Sequence, residues 1–125
     1  MKLFTVEEAN ALLPVVQKHI RQVQRAHRTI SQMQTAARQA SAQAESGGGG
    51  MIGGADYVRA CALFAEHTEA VNQLGVQIKD FSRGLIDFPC LRDGRVVLLC
   101  WQMGEVGELR WWHDVEAGFA GRQPL

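Results

Sequence analysis

The sequence predicts an α+β fold: a long antiparallel two-helix hairpin packed with a small three-stranded antiparallel β-meander. Three observations carry this. Apolar residues recur at three-four spacing through Val16, Ile20, Val23, Ile30, Met33 and Ala37, and again through Val58, Cys61, Phe64, Val71, Leu74, Ile78 and Phe81. A glycine-rich break over residues 46–54 (SGGGGMIGG) separates the two stripes. The period then changes: residues 88–92 and 95–101 flank Asp93-Gly94, a strong signal for a two-residue hairpin turn.

Residues 1–45 read as one helical arm. Thr5 with Glu8 three residues on is a capping-box pattern, in which the hydroxyl accepts the Glu8 N–H while the carboxylate reaches back. Pro14 lies too far along to belong to the first turn. Either a short helix ends near Leu12 and a second begins around Pro14, or one helix kinks there, and a kink or break is the reading preferred. Beyond it, His27 is the one polar insertion in the apolar seam. Lys18, Arg21, Arg25 and Arg28 repeat with the same period and centre on the opposite face, giving a basic exposed stripe.

The 46–54 segment shares only its glycines with a phosphate loop, because no Gly-Lys-Ser/Thr follows, and it reads as a mobile helix–helix connection. Residues 55–84 read as the second helix, with Asp56 as N-cap and Gly84 placed to end it. At 1.5 Å per residue each arm reaches roughly 40–48 Å, long for so small a domain, and the outer part of such a hairpin invites a partner.

Residues 85–116 read as the meander, with a third strand over 109–113 after the turn-like 103–107, and 117–125 as an irregular tail. If Leu109 pairs with Trp101, His113 lies opposite Val97. Val97, Leu99 and Trp101 point one way; Val96, Leu98 and Cys100 point the other; Trp111 and Trp112 also take opposite faces. Both faces are apolar, so each needs a cover. The hairpin covers one. The tail, through Phe119, or a second subunit covers the other.

The whole is 125 residues with 13 Lys+Arg against 13 Asp+Glu, the size of a single domain with no overall basic excess for binding polyanions. The first residues contain no apolar signal-peptide core, and the longest strongly apolar run, 96–101, is far shorter than a membrane span. Cys61, Cys90 and Cys100 are an odd set without C-x-x-C spacing, which fits free thiols in a reducing cytoplasm. The reading is a soluble, cytoplasmic protein.

Asp87-Phe88-Pro89, Gly94-Arg95, Cys100-Trp101-x-x-Gly104-Glu105, Trp112-His113 and Gly118-Phe119-x-Gly121-Arg122-x-Pro124, with Phe4-Thr5-x-x-Glu8-Ala9-Asn10 and Leu13-Pro14 at the start, resemble a bacterial domain-of-unknown-function family. Its members are sometimes labelled division initiation proteins. The resemblance spans nearly the whole chain and implies a bacterial domain rather than a particular reaction.

The polar residues of that block are Asp87, Arg95, Glu105, His113, Asp114 and Arg122. Glu105, His113 and Asp114, converging near the sheet, would make an acid–base group or, through His113 and Glu105, a divalent-metal site, with Arg122 as an anion clamp. The Glu105–His113 spacing matches no metal motif, and no cofactor is implied by any motif. The reading preferred is structural: a histidine hydrogen-bonded to close the sheet and carboxylates paired with Arg95 and Arg122. Arg95, Arg122 and Trp112 are the binding candidates. Cys100, between Leu99 and Trp101, reads as core. His27 and His67 are expected within one to two turns of each other across the hairpin.

The basic stripe has three readings: a solvated face, a dock for an acidic partner or another subunit, and a nucleic-acid surface with Trp101, Trp111 and Trp112 as stacking platforms. The tryptophans read better as core, which disfavours nucleic acid. The function expected is that of a small non-enzymatic domain that dimerises or binds a protein partner. The competing readings are the metal or acid–base enzyme and a weak nucleic-acid binder.

Overall fold

A computed structural model describes residues 1–44 and 53–125, so the glycine-rich 46–54 segment lies outside the described residues except for Gly53 and Gly54. Helix α1 (Val6–Ala44) starts at the expected capping box: the Glu8 N–H donates to Thr5 Oγ1 at 3.0 Å and the Thr5 N–H to Glu8 Oε1 at 3.1 Å. The helix then runs through Pro14 as one element, so no break forms there. Pro14 removes only one N–H from the ladder. Leu13, Val16 and Ile20, on both sides of it, are buried in one core and hold the helix in register.

Helix α2 (Gly54–Gln73) differs from the expected 55–84 element at both ends. Its N-cap is Gly53 at φ 86°, while Asp56 sits in the first turn, paired with Arg59 at 2.9 Å. Its end, Gln73, comes eleven residues before Gly84. The Val76 N–H bonds to the Val71 carbonyl and the Gly75 N–H to the Asn72 carbonyl, with Gly75 at φ 89°. Those two bonds around a left-handed glycine form a Schellman stop, and buried Val71 and Val76 supply its apolar contact. Ile78 and Phe81 continue the helical spacing in sequence but lie beyond the stop.

The released residues form a strand. The sheet is antiparallel in the order β1 (Gln77–Asp80), β2 (Leu85–Arg92), β3 (Arg95–Gln102), β4 (Trp111–Asp114), β5 (Gln123–Pro124). It therefore has five strands rather than three, with β1 taken from the expected helix and β5 from the expected irregular tail. The β2–β3 turn is the predicted one, with Asp93 at φ 50° and Gly94 at φ 80°, the two positive values that a tight twisted hairpin needs.

Register decides what lies beside what. His113 pairs with Leu98 and Trp111 with Cys100, one residue away from the pairing expected through Leu109. Leu109 is not in a strand; its N–H donates to Asn10 Oδ1 at 2.8 Å and ties the approach to β4 onto α1. A one-residue slip exchanges the faces of a strand. Ile86, Phe88, Val97, Leu99, Trp101 and Trp112 thus join Phe4, Leu13, Val16, Ile20, Val71 and Val76 in the main core.

The opposite face carries Leu85, Asp87, Pro89, Leu98, Cys100 and His113, and these are buried as well. Near it the tail folds back. Arg122 Nη2 lies 3.4 Å from the Cys100 carbonyl, and its guanidinium sits 5.1 Å from the Trp111 ring and 4.6 Å from the Phe119 ring. Within one chain, β2 from Leu85 to Cys90 and β3 from Val97 to Trp101 are buried on both faces, while Leu91 and Arg95 beside the turn are exposed.

The helices touch at His19–His67, His27–Phe64 and Gln34–Tyr57, so partner numbers fall along α2 as they rise along α1. Met33 reaches Gly53, at the start of α2. From there α1 continues to Ala44, about 16 Å further at helical rise. Among the described residues, no helix is long and apolar enough to cross a membrane.

Candidate functional site

Three adjacent strands bring one acid, one thiol and one imidazole together on the tail-side face of the sheet. Asp87 on β2 stands directly across from Cys100 on β3, and His113 on β4 sits on the same face, two residues along from Trp111, the partner of Cys100. Their ligating atoms all lie within 4.8 Å of one another, and among the described residues this is the group of three or more metal-ligating side chains that converges so. All three are buried: Cys100 at 0%, Asp87 at 1% and His113 at 2% exposure.

The hydrogen bonds fix where the protons are. His113 Nδ1 lies 2.8 Å from the Asp114 backbone carbonyl, which can only accept, so Nδ1 carries a hydrogen. His113 Nε2 lies 3.1 Å from Asp87 Oδ1. With both lone pairs bare that approach would be repulsive, so one further proton sits between them and the pair is neutral overall. Burial raises the Asp87 carboxyl above its ordinary value, and the neighbouring His113 pulls it back. The Cys100 thiol is pushed up to about 12, first by burial and next by the negative charge of Asp87. Arg122 pulls the thiol back only in part, so it stays protonated and is a poor nucleophile.

The residues singled out from sequence fall into different arrangements. Glu105 does not meet His113: both its carboxylate oxygens bind Arg122 Nη2, at 2.8 and 2.9 Å, and Oε1 also accepts the Gln102 N–H. Asp114 faces outward and pairs with Arg95 at 3.1 Å. Glu105, His113 and Asp114 therefore share no centre; the two carboxylates pair with Arg122 and Arg95, as the structural reading expected, and His113 finds its carboxylate in Asp87. Arg122, expected as an anion clamp, is occupied by Glu105 and stacked between Trp111 and Phe119. Trp112 is part of the core and lies under Arg92 at 4.9 Å and Arg95 at 5.9 Å.

His27 and His67 stand one to two turns apart, as expected, without touching. His67 Nδ1 lies 2.9 Å from His19 Nδ1, while His27 packs near Phe64 and Phe81, two helical turns further along α1. The basic stripe is exposed as expected at Lys18, Arg21, Arg25 and Arg28. A cleft of about 770 Å³ between the first turns of α1 and Gly107-Glu108 contains none of the candidate residues.

Sequence reasoning gave no role to Asp87 and took Cys100 for plain core. The available signal was Asp87 itself, a carboxylate inside the apolar run from Leu85 to Cys90, where an unpaired charge is costly.

The description "Uncharacterized conserved protein (DUF2203)" is that of a family matching residues 2–125, and the chain belongs to this family. No curated protein and no solved structure matches it.

Proposed function

We propose, for this member of an uncharacterised conserved family, that the domain works by association, and that the partner is a second copy of the chain bound through the α1–α2 arm. The single observation behind this is the uncompensated charge on the arm. Lys18, Arg21, Arg25 and Arg28 have no carboxylate within salt-bridge distance among the described residues. The chain as a whole is neutral, yet residues 51–125 hold seven Lys+Arg and ten Asp+Glu, leaving six and three in residues 1–50. The two parts of one chain thus carry opposite and equal surpluses, and a two-fold pair sets the basic part of each copy against the acidic part of the other.

The arm offers somewhere for that pair to form. Beside the stripe, a groove of about 200 Å³ runs between the helices, lined by Arg25, Ala26, Thr29, Ala60 and Leu63 among others. Val58, 68% exposed, and the half-exposed Val15 add apolar area on the same two helices. Exposed Glu66 and Glu69 on α2 supply carboxylates of the right sign. The sheet offers less, because the greater part of β2 and β3 is already buried on both faces within the chain. The protein-partner reading follows only if the dimer then presents a further surface. Neither an acid–base centre at Glu105, His113 and Asp114 nor nucleic-acid stacking on the buried Trp101 and Trp112 draws support from this geometry.

Charge exchange tests the proposal. Arg21→Glu with Arg25→Glu, and separately Glu66→Arg with Glu69→Arg, each lower the dimer fraction measured by light scattering, and the four changes together restore it. Dimer content unchanged by either pair would overturn the proposed interface.

A further inference from the structure

We propose that Asp87, Cys100 and His113 form a binding site for a divalent transition-metal ion, with zinc as the best fit. A zinc site needs three or four nitrogen, sulfur or oxygen donors in a tetrahedral arrangement, and three different strands deliver one donor of each kind to one buried point.

The spacing of the nitrogen and oxygen donors agrees. Two light-atom ligands at roughly 2.0–2.2 Å from a tetrahedral zinc stand about 3.4 Å apart. His113 Nε2 and Asp87 Oδ1 are 3.1 Å apart, so an ion enters with an opening of a few tenths of an ångström. The imidazole is already set for the role. Nδ1–H donates to the Asp114 carbonyl, which turns the Nε2 lone pair toward Asp87, and a metal-bound histidine is ordinarily held by such a bond from its other nitrogen.

The charge agrees as well. Without an ion the cluster holds one proton between Asp87 and His113 and one on the Cys100 sulfur, and is neutral. A divalent cation that replaces both protons leaves a carboxylate, a thiolate and a neutral imidazole around two positive charges, again neutral. The buried face therefore takes the ion with no net charge added to a low-dielectric region. The fourth position is left to a water or a small anion, and the way in is under the tail, where Arg122 rests on the Cys100 carbonyl.

Cobalt(II) and zinc(II) are the probes, added to the full chain after chelation. Uptake of about one ion per chain is expected, with release of about two protons per ion. The cobalt form should show a sulfur-to-metal charge-transfer absorption, because Cys100 is a ligand. Cys61→Ala with Cys90→Ala keeps that absorption, leaving Cys100 as the only thiol, and Cys100→Ser abolishes it. His113→Ala lowers zinc affinity at least tenfold. The proposal is overturned if the wild-type chain takes up no stoichiometric ion, if the absorption survives in Cys100→Ser, or if it vanishes in the Cys61→Ala, Cys90→Ala chain. That double variant leaves the cluster intact, so the assignment to Cys100 stands or falls on it should Cys100→Ser fail to fold.

Discussion

His113 Nε2 lies 3.1 Å from Asp87 Oδ1, with both side chains almost wholly removed from water. Two strands apart in the sheet and 26 residues apart in the chain, the two groups hold one proton in common, and among the described residues neither has another side-chain charge of opposite sign within salt-bridge distance. A buried carboxylate deprived of its only such partner has nowhere to place its charge. His113→Ala is expected to lower the unfolding free energy by about 3–5 kcal/mol in urea titration, and Asp87→Asn, which leaves no orphaned charge, by less.

The same pair gives a pH signature. Burial raises the folded Asp87 carboxyl above the ordinary 3.8, so the folded chain holds that proton more tightly than the unfolded one. The contribution to stability is then full below the unfolded value and is lost as pH rises through the folded one. Denaturation across the acid range should show wild type losing stability relative to Asp87→Asn as pH increases, and a loss in the opposite direction would contradict the burial argument.

Cys100 behaves likewise at the alkaline end. In the chain stripped of metal, its thiol ionises near 9 when exposed and at about 12 in the fold, so stability should fall between those values relative to Cys100→Ala. Alkylation followed by mass spectrometry should mark the half-buried Cys61 first and leave the buried Cys90 and Cys100 protected.

Arg122 joins the tail to the sheet through Glu105, Trp111, Phe119 and the Cys100 carbonyl. Arg122→Ala removes an ion pair in which one nitrogen meets both Glu105 oxygens, together with its stacking, with an expected cost of about 1.5–3 kcal/mol, a change in tryptophan fluorescence and faster alkylation of Cys100. An unchanged Cys100 rate would mean that the tail does not guard that face.

Gly84 sits at φ 62°, and a Cβ there would come 2.7 Å from Met103 Cβ and 3.1 Å from Ile20 Cγ2. Gly84→Ala should therefore cost more than about 1 kcal/mol in thermal or urea unfolding.

These residues also show which parts of the structure the sequence made legible. Local chemistry was readable: Thr5 with Glu8 started α1, and Asp93-Gly94 turned β2 into β3. Competition between two signals was not. Ile78 and Phe81 extended the three-four pattern past Gly75, and the pattern hid a glycine whose left-handed backbone ends the helix. Pro14 did not divide the helix in two, because a continuous buried stripe runs on either side of it. The Asp87–His113 pair depended on register. A one-residue error between β3 and β4 moves His113 to the wrong face, toward Val97, and no local signal near Leu109 reveals that Asn10, 99 residues away, fixes the approach.

The central claim is that the uncompensated charge on α1 is met by a second copy, and absolute mass in solution tests it most directly. Light scattering coupled to size exclusion, over a dilution series at low and high salt, should give about twice 13.8 kDa at low salt and a fall toward 13.8 kDa as salt screens the opposed charges. A constant 13.8 kDa at every concentration and salt would contradict the account.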